Sequence, residues 1–210
     1  MPTSVDDPGR PNSPGRLTAK NIRWAEKVPA RWWRNSHTQN GDAFAFTKIA
    51  ARFSGPGLSH GTLYLGANRI ACFWESGLGR DLNSRMPDEL TIAESDLKDR
   101  FEFSTTLKAS GLKFFNATDA AARRSVGAKT SACFSADHAL ARSWAAALII
   151  AGADGILYES TRQSPGLCLA LFGTAAAKGC LLSRKKVGSA YDDAELLAQL
   201  FAEGVSIISA

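Results

Sequence analysis

The stretch from Arg52 to Glu75, RFSGPGLSHGTLYLGANRIACFWE, sets the expected frame of the chain. It opens on Arg52-Phe53 and runs into Ser54-Gly55-Pro56-Gly57, a turn cluster in which Gly permits positive φ and Pro pre-sets φ. Thr62-Leu63-Tyr64-Leu65 is a short apolar run of strand formers closed by Gly66. Asn68 then reads as an N-cap for a helix over Arg69-Ile70-Ala71-Cys72-Phe73-Trp74-Glu75, with Ile70, Phe73 and Trp74 on one face by their i, i+3 and i, i+4 spacing. Glu75 falls off that stripe, beside the small side chains of Ala71 and Cys72. One loop–strand–helix unit thus brings a cation, a phenol and a carboxylate to the ends of its elements, which is a way to line a cleft.

The rest of the chain bounds the problem. With 210 residues, 45% hydrophobic and 21% charged, it supports one globular body with a sizeable core. Cys72, Cys133, Cys168 and Cys180 show no CxxC spacing, and His37, His60 and His138 are scattered, so no metal site is expected and a reduced, cytoplasmic setting is. The longest apolar run, Trp144 to Ala153, is ten residues and too short to span a membrane. Of the net charge of +5, residues 1–34 hold seven basic residues against three acidic ones, which leaves one net positive charge for the remainder. Basicity therefore belongs to the leader, and direct nucleic-acid binding is not expected of the body.

Residues 1–21 are rich in Pro, Gly, Ser and Arg and read as a flexible basic leader, with the folded domain over 22–210. Ala30-Arg31-Trp32-Trp33-Arg34 enters as a strand whose two Trp side chains point to opposite faces, one to the core and one toward the cleft. Ala43 to Ala50 suggests a helical turn, and Ser76 to Pro87 an exposed loop or lid. Strands are expected at Thr91-Ile92, Phe101-Glu102-Phe103 and Leu112 to Phe115. Thr118 is expected to cap a short helix over Asp119 to Ser125, and Ser135 a long one over Ala136 to Ala151, ended by Gly152. Gly155 to Ser160 and Leu167 to Phe172 form a hairpin across a Pro-Gly connection, and a helix from Asp192/Asp193 to Glu203 closes the chain. Short strands with few helices indicate an α+β fold in a single domain.

The familiar catalytic signatures are missing: there is no G-x-x-x-x-G-K-[ST], G-x-S-x-G or H-E-x-x-H. Taken singly, Arg52, Tyr64, Glu75 and Ser160 read as readily as a surface cation, a half-buried phenol, a solvated acid and a turn hydroxyl. Their order is more specific. Trp33-Arg34, Arg52-Phe53, Leu63-Tyr64-Leu65-Gly66, Phe73-Trp74-Glu75, Ala141-Arg142-Ser143-Trp144-Ala145, Asp154-Gly155-Ile156-Leu157-Tyr158-Glu159-Ser160 and Cys168 to Phe172 together resemble the RES-domain family, named for an Arg, a Glu and a Ser. The resemblance covers residues 30–175.

That resemblance implies an ADP-ribosyltransferase-like fold with a central split, mixed β-sheet and flanking helices, which binds and cleaves NAD as a substrate without a metal. It also implies a toxin held in check by a helix-turn-helix (Xre-like) antitoxin. Carried over by position, Arg34 and Arg52 match the arginines of the dinucleotide pocket, Tyr64 its tyrosine, Glu75 the acid of the helix and Ser160 the late serine. Arg52, Glu75 and Ser160 would be catalytic; Arg34, Arg52, Tyr64 and Ser160 would bind the dinucleotide. Arg31 competes for the first arginine, and spacing favours Arg34. The chain departs from its relatives at Ala51, where many carry Gly, and at Thr161-Arg162-Gln163, where Arg and then His are common. The residue types suit the chemistry: guanidinium forks match pyrophosphate, a phenol ring stacks on a flat base, and a carboxylate stabilises an oxocarbenium-like centre. Water, phosphate or a protein side chain could accept the ADP-ribose, and an inactive dinucleotide- or partner-binding module of the same fold is the alternative.

Overall fold

The computed structural model describes residues 11–37, 42–55, 57–76, 78–79, 90–134, 137–160, 166–174 and 179–209. Its centre is the predicted unit. Strand β2 (Thr62–Gly66) runs straight into helix α1 (Arg69–Trp74), and the Asn68 side chain caps that helix by accepting the Ala71 N–H at 2.8 Å. Ile70, Phe73 and Trp74 are all buried, as their spacing requires. The helix lies close on its own strand because Gly66 has no side chain: a Cβ there would sit 2.7 Å from Cys72 Cα.

Strand β1 spans Arg31–His37, and β3 spans Thr91–Ala93. Helix α2 (Glu94–Lys98) leads to β4 (Arg100–Leu107) and then β5 (Phe114–Asn116). Helices α3 (Ala120–Ser125) and α4 (His138–Ile150) precede β6 (Gly155–Glu159) and β7 (Leu167–Phe172). The chain closes with β8 (Leu181–Ser189), α5 (Ala194–Ala202) and β9 (Ser206–Ile208). Seven strands form one sheet in the order β5-β6-β7-β2-β1-β4-β8, parallel between β5 and β6 and antiparallel elsewhere; β3 and β9 pair in parallel apart from it. The sheet is mixed and flanked by helices, as expected.

It is also split. Strands β1 and β4 stay in register from Arg31↔Thr106 to His37↔Arg100, and β2 and β7 from Thr62↔Phe172 to Gly66↔Cys168. Between β1 and β2 the register is Trp33↔Gly66. Beyond that pair the two halves part, and Arg34 fills the opening by donating from Nη1 to the Tyr64 carbonyl (3.1 Å) and from Nε to the Ala43 carbonyl (3.3 Å).

Both faces of the sheet are covered. On one, Ala141, Trp144, Ala145 and Leu148 of α4 pack on Ile156, Tyr158, Cys168, Ala170 and Phe172. On the other, Trp32, Leu63, Leu65, Leu157, Leu169 and Leu171 form a second core. A third joins α1, α2 and α5 through Phe73, Trp74, Leu97, Leu196 and Leu200. Trp32 and Trp33 do face opposite ways, but both are buried: Trp33 lies under the guanidiniums of Arg31 and Arg69, whose carbons are 4.7 and 4.6 Å from its ring centre.

Several expectations need correction. No helix forms over 43–50; Thr47 bridges Thr62 there instead. Asp119, not Thr118, caps α3, since its Oδ1 accepts the Ala121 N–H. Asp137 caps α4 by accepting from Ala139 and Leu140, and Ser135 lies outside the described residues. Most of the expected lid, 77 and 80–87, is also outside them, as are residues 1–10 of the leader. The leader from residue 11 onward is tied to the body: the Asn12 carbonyl accepts from Trp144 Nε1 at 2.8 Å, and its side chain bonds Gly127 and Lys129 backbone atoms. No helix of the described residues is long and apolar enough to cross a membrane.

Candidate active site

A cavity of about 510 Å³ opens in the split between β1 and β2. Arg34, Asn35, Ser36 and His37 line it from β1, Tyr64 from β2, Glu75 and Ser76 from the end of α1, and Arg100 from the start of β4; Asp42, Thr47, Ala51 and Ser54 complete its wall. The size is that of a small-molecule site, roughly 300–1,000 Å³. Three residues singled out in the sequence, Arg34, Tyr64 and Glu75, therefore meet on one wall.

Each is held by a different device. Arg34 is pinned through its two backbone carbonyls in the split. The Tyr64 hydroxyl accepts the Phe53 N–H at 2.7 Å and donates to Ser54 Oγ at 3.4 Å, so the phenol fastens the 51–54 turn to the strand. Glu75 is the C-cap of α1, its N–H bonded to the Ala71 carbonyl, and its Oε2 accepts from Tyr158 Oη at 2.8 Å.

Arg52 is not a lining residue of this cavity. Its guanidinium carbon lies 5.0 Å from the Tyr158 ring centre and 6.0 Å from that of Phe53, while Phe53 and Tyr158 meet edge to face at 5.0 Å. Ser160 does not line the cavity either. It follows β6, two residues beyond Tyr158, and its buried Oγ has no hydrogen-bond partner among the described residues. Arg52 thus stands off the cavity against Tyr158, which in turn bonds Glu75, while Ser160 lies two residues further along the chain.

Burial first, and then the Glu75 carboxylate, pushes the Tyr158 phenol well above its usual pKa; Arg52 pulls the other way. Burial likewise raises the Cys72 thiol to about 12 and Cys168 well above the thiol range. These cysteines stay protonated at neutral pH and are poor nucleophiles. Among the described residues, no group of three or more His, Cys, Asp or Glu side chains is arranged to hold a metal ion.

Sequence reading passed over three residues of this site. Tyr158 stands inside the Asp154 to Ser160 stretch, which assigns it no role of its own. Asn35 is 3% exposed, with neither side-chain Oδ1 nor Nδ2 hydrogen-bonded among the described residues. Arg100 sits in register with His37 on the rim and carried no motif.

The fold and the site define a class. The model of the RES domain matches residues 29–190, and the chain belongs to the RES-domain family. Its fold is similar to that of a chain in the crystal structure of the MbcT–MbcA toxin–antitoxin complex of M. tuberculosis, with 19% sequence identity and a TM-score of 0.55 over 86% of this chain and 96% of that one. No curated protein matches the chain. The family match extends past the quoted motifs, through β8, and ends before α5.

Proposed function

We propose that the cavity binds NAD and that the chain is a toxin-like enzyme cleaving the nicotinamide–ribose bond, restrained by an antitoxin partner. The observation that carries this reading is the meeting of Arg34, Tyr64 and Glu75 in one cavity of substrate size, in a chain of the RES family. The likeness to a toxin–antitoxin complex supports the partner. Arg34 and Arg100, both lining the cavity, supply guanidiniums for the pyrophosphate, and the Tyr64 ring lies on the wall for a flat base.

At the scissile bond the C1′–N bond breaks, and its electron pair leaves on the nicotinamide nitrogen. The positive charge left on the ribose is stabilised by the Glu75 carboxylate. Water, phosphate or a protein nucleophile then bonds to C1′ and releases its proton. Ser160 does not line the cavity, so its buried hydroxyl, without a hydrogen-bond partner among the described residues, makes no direct contact with the dinucleotide in this reading. Arg52 acts from outside the cavity, through Tyr158.

The test is nicotinamide release from NAD by the purified chain, with and without phosphate, beside Glu75→Ala. Release that requires phosphate marks a phosphorylase; release without it marks a glycohydrolase, or a transferase if labelled ADP-ribose lands on protein. Glu75→Ala is expected to abolish release, and growth arrest on expression, while remaining folded. Full turnover by a folded Glu75→Ala chain would refute the site. Binding of NAD with no release would leave a dinucleotide-binding module.

A further inference from the structure

We propose that Tyr158 is a positioning residue for bond cleavage: its hydroxyl holds one oxygen of Glu75 so that the other is presented to the ribose. The inference rests on the NAD-cleaving reading above. Glu75 caps a helix of six residues and has a flexible, half-buried side chain. Among the described residues, the hydrogen bond that its carboxylate makes is the one from Tyr158 to Oε2, at 2.8 Å. Oε1 has no hydrogen-bond partner among the described residues, on a side chain that lines the cavity.

Tyr158 itself cannot wander. It lies on β6, 2% exposed, with Phe53 edge-on to its ring and the Arg52 guanidinium over its face. Because the buried phenol keeps its proton far above neutral pH, it remains a donor and does not act as a base. A carboxylate fixed by one such bond pays little reorganisation when charge develops on the sugar. The same contact explains how Arg52, outside the cavity, bears on the reaction: it sets the ring that sets the acid.

The experiment compares wild type, Tyr158→Phe, Glu75→Gln and the double variant in nicotinamide release. Tyr158→Phe is expected to lower kcat by about 10- to 100-fold with KM unchanged. The double variant is expected to be no slower than Glu75→Gln, since Tyr158 works through that carboxylate. A Tyr158→Phe enzyme with wild-type kcat, or strictly multiplicative losses, overturns the proposal.

Phenolate absorbance, followed through alkaline titration, tests the contact without turnover. The highest-titrating tyrosine is expected to move down in Glu75→Gln, and an unmoved one overturns the proposal even where Tyr158→Phe fails to fold. A wild-type chain that releases no nicotinamide removes the parent reading and this inference with it. A wild type that turns NAD over while Tyr158 proves silent removes the inference alone.

Discussion

The cluster of Glu102, Asp193 and Arg69 predicts an unusual dependence of stability on pH. Arg69 of α1 reaches Asp193 at 2.6 Å and Glu102 at 3.7 Å, and both carboxylates are almost fully buried. Burial, and then the hydrogen bond and negative charge of Asp193, raise Glu102 from 4.5 to about 8, with Arg69 opposing. Asp193 is affected in the other sense. Burial works against its ionised form, but the Leu196 N–H, Glu102 and Arg69 hold it below its usual 3.8. Between about pH 5 and pH 8 the folded protein therefore keeps a proton on Glu102 that the unfolded chain has given up, so stability falls as pH rises. At about 1.4 kcal/mol per unit, the loss between pH 5 and pH 9 is on the order of 4 kcal/mol. Asp193 adds no slope in this window because it is ionised throughout in both states.

Glu102→Gln keeps a neutral donor of the same shape and has nothing to titrate. Denaturant unfolding of both chains at steps from pH 5 to pH 9 should place them within about 1 kcal/mol at pH 5 and several apart at pH 9, with Gln the more stable. Curves that run parallel, or a wild type that gains stability with pH, would show Glu102 ionised against Arg69 and refute the reasoning. Because Arg69 opens the helix that Glu75 caps, alkaline loosening of this cluster should also slow nicotinamide release.

Other positions make separate demands. Asn68→Ala removes the cap of α1 and should cost about 1 kcal/mol in unfolding experiments, largely restored by Asn68→Asp. Gly66→Ala drives a methyl into the Cys72 backbone and should lower stability by about 2 kcal/mol or more; an unchanged melting temperature would mean that α1 can lift off β2 at no cost. Asn35→Val replaces a buried amide that has no hydrogen-bond partner among the described residues with a strand former, and should leave stability unchanged or raise it by about 1 kcal/mol. A clear loss of stability there would reveal a partner for the amide.

What could be read in advance follows from how local each signal is. The β2–α1 unit was legible because a turn, a strand, a glycine and a cap all lie within 24 residues, and the β6–β7 hairpin because both strands are continuously apolar. Strand β8 was missed. Its Ser183-Arg184-Lys185-Lys186 run looks like solvated loop, and it forms a strand by pairing with β4, a partner some 80 residues away. The caps of α3 and α4 were each misplaced to a neighbouring hydroxyl, although an aspartate sat one or two positions on; both side-chain types cap well, and only the backbone path decides. At the site, family order singles out Arg34, Tyr64 and Glu75, which line the cavity, but does not show that Arg52 turns onto aromatic rings. The contact between Tyr158 and Glu75 joins residues 83 apart through packing that no local pattern announces.

The parting of β1 from β2 has a mechanical consequence. Elsewhere in the sheet each strand spends its peptide groups on its neighbour, so a guest could enter only by peeling a ladder open. Past Trp33 and Gly66 that cost has already been met, with Arg34 serving as a removable wedge against the Tyr64 carbonyl. A dinucleotide that draws this guanidinium toward its phosphates would break a side-chain contact and leave every rung of the scaffold intact.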